Sequence, residues 1–181
     1  MPCCPNGSSS SNSSKTTSLA GPARPARKKT VVIGLGNDLL GDDAVGVLVA
    51  RSLQERLRGK ADVIETAIHG IALLDLFIGY QHAVLVDAIQ TGKYPPGKVL
   101  EIDPDDLRPV QAPSPHYAGL PEMLALARQY DLDFPKDFRI FAIEVADPYT
   151  IGGQMTPAVL AVIPEVCDRV CQAVAAIPWS E

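Results

Sequence analysis

The chain has 181 residues, enough for one domain with a sizeable core, and its 46% hydrophobic and 20% charged content is that of an ordinary globular protein. Residues 1–29 hold five of its 16 basic residues and no acid, which leaves 11 basic against 21 acidic residues, a net −10, on residues 30–181. That balance excludes a nucleic-acid binder, and without an apolar run of the roughly 18 residues that a membrane helix needs, no membrane role is expected either.

Residues 1–29 are rich in Ser, Pro and Ala and lack aromatics, so they read as a disordered low-complexity tail, with the domain on 30–181. No apolar stretch precedes a cleavage site, and a cytoplasmic protein is expected. Thr30 to Leu35 is a β-branched run that predicts a buried parallel strand. Residues 43–58 follow as a helix with Val45, Leu48, Val49, Leu53 and Leu57 on one face, stopped by Gly59. A second strand is expected at Asp62 to Thr66, a short helix at Ile71 to Ile78, and a third buried strand at His82 to Ala88. Two prolines then precede a short edge strand, Lys98 to Ile102. Pro121 opens a helix over 120–130, and Phe138 to Val145 is the last strand. Thr156-Pro157 reads as a cap and first-turn pair opening a helix to Ala176, bent at Pro164. This alternation predicts a three-layer α/β/α domain with a mostly parallel sheet. Cys167 and Cys171, one helical turn apart, fit the apolar face of that last helix rather than a metal site.

The stretch after the first strand, GLGNDLLGDDAVG, resembles half of a dinucleotide fingerprint. Leu39 stands where the third glycine belongs, and Asp42 and Asp43 would repel a pyrophosphate at the helix start. A phospho-acceptor receiver site fails as well, because the acids come six and seven residues after Gly36 and the final strand leads into Glu144-Val145-Ala146-Asp147 without a lysine. In open parallel sheets ligands bind beyond the carboxyl ends of the strands, where strand order reverses. If the first and third strands meet there, the loop of Asp42 and Asp43 faces Asp87, which ends the apolar run Ala83-Val84-Leu85-Val86. A carboxylate at such a position needs a partner. Asp42 taken alone also reads as a helix N-cap. His116 lies in a loop stiffened by Pro113 and Pro115, which would hold an imidazole at low entropic cost. Two carboxylates and one imidazole form an open, oxygen-rich set suited to a borderline divalent metal such as nickel.

GLGNDLLGDDAVG, VLVDAIQTG and SPHYAGLPE, in this order and spacing, together with FAIEVADPYTIGGQMTPAV, resemble the hydrogenase maturation proteases over residues 31–175. These endopeptidases trim the C-terminal extension from the large subunit of nickel-iron hydrogenases. The resemblance implies a phosphorylase/hydrolase-like fold with a five-stranded twisted sheet. It also implies that Asp43, Asp87 and His116 are both the catalytic and the metal-contacting groups, meeting nickel already carried by the substrate rather than a resident ion. Asn37, Glu65 and His69 are the expected substrate contacts. The segment Glu65-Thr66-Ala67-Ile68-His69-Gly70 departs from the glycine-rich stretch of many relatives, and Asp43 stands where some members carry Glu. An aspartyl-type, monomeric peptidase acting on a large-subunit precursor is therefore expected, although the acids match neither a paired-aspartate protease motif nor a zinc-peptidase motif. A non-proteolytic nickel-sensing chaperone and a peptidase with another protein substrate are the alternatives.

Overall fold

In the computed structural model, which describes residues 28–107 and 119–177, the first apolar run pairs on both sides. Strand β1 (Lys28–Leu35) lies between β2 (Asp62–Thr66) and β3 (Tyr80–Ile89) and is parallel to both. Beyond β3 lies β5 (Asp137–Glu144), also parallel, and β4 (Val99–Ile102) closes that edge antiparallel to β5. The strand order is β2-β1-β3-β5-β4. The chain therefore leaves β1 outwards to β2 and then crosses back to β3, so the order reverses between β1 and β3, which are neighbours as expected.

Helices α1 (Val45–Arg56) and α4 (Pro157–Ala175) cover one face of the sheet, while α2 (Leu74–Phe77) and α3 (Leu120–Gln129) cover the other. Successive strand residues point to opposite faces. Val32, Val84 and Phe141 thus meet Val49, Leu53 and Val166 in one core. Ile33, Leu85 and Ile140 meet Phe77, Leu120 and Met123 in the other. Burial on both faces is why these strands read as unbroken apolar runs rather than as alternating ones. Each fully buried aliphatic or aromatic side chain of this kind contributes about 1.5–3 kcal/mol.

The glycines of the first motif permit close packing of helix on sheet. A Cβ on Gly46 would lie 2.1 Å from the Leu35 carbonyl oxygen and 2.7 Å from that of Val86. One on Gly34 would lie 2.1 Å from the Gly46 carbonyl oxygen. We expect Gly46→Ala to lower the unfolding free energy by about 3 kcal/mol, the upper range for overpacking, seen as an earlier midpoint in urea. An unchanged midpoint would show that α1 can lift from the sheet freely.

The structure corrects several local expectations. The first turn of the helix expected over 43–58 is a 3-10 turn, Gly41–Ala44, and α1 begins only at Val45. The expected 71–78 helix divides into a 3-10 turn, Gly70–Leu73, and the short α2. A further 3-10 turn at Pro104–Asp106, with the Asp103 side chain accepting from the Asp105 N–H at 2.9 Å, was not expected. Helix α4 runs through Pro164 to Ala175, as expected, but its preceding residue Thr156 makes no side-chain cap. The tail expected to be disordered lies outside the described residues but for its last two, Lys28 and Lys29, which begin β1. Among the described residues no helix is long and apolar enough to cross a membrane.

Candidate functional site

Four acids are buried among the described residues, Asp42, Asp43, Asp87 and Glu144, each at most 1% exposed. All four lie at the same edge of the sheet, in the last residues of parallel strands or just after them. Burying that much negative charge is costly unless each group is answered by donors or cations.

Asp42 is answered by the protein. Its carboxylate accepts from the backbone N–H groups of Ala146 and Asp147, each at 3.0 Å, from the Thr156 N–H at 2.5 Å and from the Thr156 hydroxyl at 2.8 Å. It does not cap its own helix, as its position had indicated. Instead it pins the connection between β5 and α4 across more than 100 residues of sequence. Thr156 spends its hydroxyl on Asp42 rather than on the start of α4.

Asp43 follows in the same 3-10 turn, which packs against β3. Its Oδ2 accepts from the Asn37 N–H at 2.7 Å. Gly36 allows this approach, for a Cβ there would lie 2.0 Å from the Asp43 carbonyl oxygen. Asp87, fully buried near the end of β3, accepts from the Ala88 N–H at 2.8 Å. A carboxylate has about four acceptor positions and can take a proton or ligate a cation as well as accept from the backbone. Asp43 and Asp87 thus come from the two elements that flank the reversal of strand order.

His116 lies outside the described residues. Among the described residues no group of three potential metal ligands gathers. The remaining expected contacts are spread along the rim. Half-buried Asn37 uses its side-chain oxygen to accept from the Leu39 N–H at 3.0 Å, which shapes the loop before the 3-10 turn. Exposed Glu65, at the end of β2, is held by the Arg51 Nε at 2.6 Å, and the Arg51 Nη2 reaches Asp38 at 2.8 Å. Hydrogen bonds from Asp38 and then Glu65 raise the Arg51 pKa above its ordinary value. Water screens this exposed arrangement, so it adds little to stability. His69 is exposed and stands immediately before the turn Gly70–Leu73. Glu65 and His69 therefore belong to the β2 end of the rim, one strand further from Asp87 than Asp43 is.

Sequence reasoning passed over Glu144. Its carboxylate accepts from the Thr91 and Gly92 N–H groups at 2.8 and 2.7 Å and from the Thr91 hydroxyl at 2.6 Å. It thereby holds the turn that follows the Asp87 strand. The available signal was the one that marked Asp87, an acid directly after an apolar run, here Ile140 to Ile143. A groove of about 640 Å³, lined by Asp103, Arg128, Phe134 and Lys136 among others, lies at the opposite, amino edge of the sheet. Open α/β sheets do not bind their ligands there, and the groove contains none of the buried acids.

An α/β/α domain with buried carboxylates gathered where its parallel sheet reverses order defines a ligand-binding or hydrolytic fold of the doubly wound class. The sequence model of the hydrogenase maturation protease family (HycI) matches residues 47–173, which include Asp87 and His116 and begin just after Asp43. The chain is 30% identical over 151 residues to the hydrogenase 2 maturation protease of Escherichia coli (strain K12), covering 80% of this chain and 90% of that relative. Its fold is similar to that of the hydrogenase maturating endopeptidase HybD from E. coli, with a TM-score of 0.70 at 25% identity, covering 82% and 93% of the two chains. It is also similar to the [NiFe] hydrogenase maturation protease HybD from Thermococcus kodakarensis, with a TM-score of 0.66 at 22% identity, covering 81% and 99%. The chain belongs to the hydrogenase maturation protease family and is a peptidase.

Proposed function

We propose that this peptidase removes the C-terminal extension of a nickel-iron hydrogenase large-subunit precursor once nickel has been inserted into it. The observation that carries the reading is the pair of buried carboxylates, Asp43 and Asp87, on adjacent elements at the strand-order reversal. Burial removes the water that would screen them, so a cation brought between them is held more strongly than at the surface. His116 completes the set in this reading. Gly119, three residues further on, packs so closely against the turn after β2 that a Cβ on it would lie 2.9 Å from the Gly70 Cα.

In this reading Asp43, Asp87 and His116 contact the nickel carried by the precursor, and Asn37, Glu65 and His69 line the path of the extension. The carboxylates also serve the acid–base chemistry of peptide hydrolysis, taking the proton of the attacking water and returning one to the leaving amine. A set of three ligands binds free nickel weakly and is completed by the precursor's own ligands. Nickel loading then becomes a condition for docking, and linkage makes the effect reciprocal. The protein acts as a monomer in the cytoplasm.

Incubation with nickel-loaded and nickel-free precursor, followed by mass spectrometry of the released peptide, tests the reading. Release from the loaded form alone is expected. Equal cutting of both forms would remove the gating, and binding without release would make the protein a chaperone for the precursor.

A further inference from the structure

Glu144 is a buried acid that the chemistry above does not use. All of its polar atoms are spent on the connection that runs from β3 to β4. The backbone N–H donates to the Lys98 carbonyl at 2.9 Å, and the backbone carbonyl accepts from the Gly97 N–H at 2.8 Å. One carboxylate oxygen takes the Thr91 and Gly92 N–H groups together, and the other takes the Thr91 hydroxyl. That hydroxyl in turn accepts from the Lys93 N–H at 3.2 Å. Thr91 comes four residues after Asp87. Asp87 pairs with Ala142 and Ile89 with Glu144, and strand alternation puts both acids on the face that carries Leu85, Ile89 and Ile140. Past these pairs the Val145 N–H donates to the Ile89 carbonyl at 2.8 Å, and the Gln90 Nε2 to the Ala146 carbonyl at 2.6 Å. Ala146 gives its own N–H to Asp42, the residue before Asp43. One segment, 144–147, therefore ties the end of the Asp87 strand to the turn that carries Asp43.

A buried polar network whose members are all satisfied holds its surroundings in one arrangement, because every other arrangement leaves a polar group unpaired. We propose that Glu144 is a positioning residue for the site: by locking the Thr91–Gly92 turn it fixes the end of β3, and with it the orientation of the Asp87 carboxylate. The inference rests on the function proposed above. Asp87 accepts from the Ala88 N–H, so a shift of the backbone just after residue 87 turns the carboxylate with it. A misplacement of about 1 Å can cost on the order of 100-fold in rate even when its origin lies away from the reacting atoms.

The test compares Glu144→Ala with Glu144→Gln in the full chain, assayed on nickel-loaded precursor. The first substitution removes every side-chain acceptor of the turn. The second keeps an oxygen for both N–H groups and sets an NH₂ group against the Thr91 hydroxyl, which can accept, so it keeps the turn and drops the charge. We expect Glu144→Ala to lower kcat by about 100-fold with KM within about twofold, and Glu144→Gln to recover kcat to within about fivefold of the parent. A group that served folding alone would lower the urea midpoint and leave the kcat of the folded protein unchanged. Parent-like kcat in Glu144→Ala would therefore overturn the inference. So would a Glu144→Gln protein as slow as Glu144→Ala, because the charge itself would then carry the effect. If Glu144→Ala does not fold, Thr91→Val, which loses the hydroxyl bond, is compared with Thr91→Ser, which keeps it, and a lower kcat in the first alone is expected. A parent that cuts nothing overturns the function proposed above, and crystal structures of the parent and of whichever variant folds then decide the positioning. An Asp87 carboxylate displaced by about 1 Å or more upholds it, and an unmoved one overturns it.

Discussion

Asp87→Asn should leave the protein folded and almost inactive. The amide keeps the size of the carboxylate and an oxygen able to accept the Ala88 N–H, so the end of β3 holds its shape. What is lost is a charge in a fully buried position at the edge where the sheet reverses. Removing one preorganised charged group from a water-poor site typically costs on the order of 10²–10³ in rate. Processing of nickel-loaded precursor, followed by the mass of the released peptide, should fall by about that factor. The urea midpoint should stay the same or rise, because a buried charge held for function is commonly a cost to stability. Activity within a few-fold of the parent would remove Asp87 from the site.

Asp42→Ala should do the reverse in kind, acting first on the fold. The substitution leaves three backbone N–H groups and one hydroxyl without their acceptor, at residues 146, 147 and 156. An orphaned buried donor costs about 1–3 kcal/mol, and part of this is recovered as water enters. We expect about 2–4 kcal/mol of destabilisation, since several bonds to one charged acceptor are lost together while water reaches the partly exposed donors, read from urea denaturation. Asp42→Asn should recover little, since its NH₂ group faces donors. The two adjacent acids would thus separate cleanly. Asp42 braces the connection between β5 and α4, and Asp43 remains for the cleft.

Much of this was legible from residue types alone. Apolar runs marked β1, β3 and β5, because burial on both faces leaves no polar alternation to blur them, whereas β2 (Asp62–Thr66), at the sheet edge, is half-exposed and carries acids at 62 and 65. An acid closing such a run pointed to Asp87, since nothing but a partner or a ligand justifies a charge there. What stayed hidden depends on contacts distant in sequence. Asp42 reads locally as a cap, and its true partners lie 104 to 114 residues away. Glu144 carries the same signal as Asp87, but its donors at 91 and 92 come into view only once β3 and β5 are in register. The 3-10 turn at Gly41–Ala44 was hidden because the apolar face of α1 extends the helical pattern up to it. Pattern also placed His116 in a stiffened loop, but that loop lies outside the described residues, so its meeting with the acids rests on the resemblance.

The central claim is that Asp43, Asp87 and His116 converge on one cation. The most direct measurement is a nickel-edge anomalous difference map from crystals of the protein soaked at high nickel concentration. The account predicts a single peak at the carboxyl edge of the sheet, within bonding distance of both carboxylates and of one His116 nitrogen, and its loss in crystals of His116→Ala. A His116 ring more than about 10 Å from the Asp43 carboxylate is beyond any shared ion at ordinary ligand bond lengths. That result, or nickel bound elsewhere on the molecule, would contradict the account.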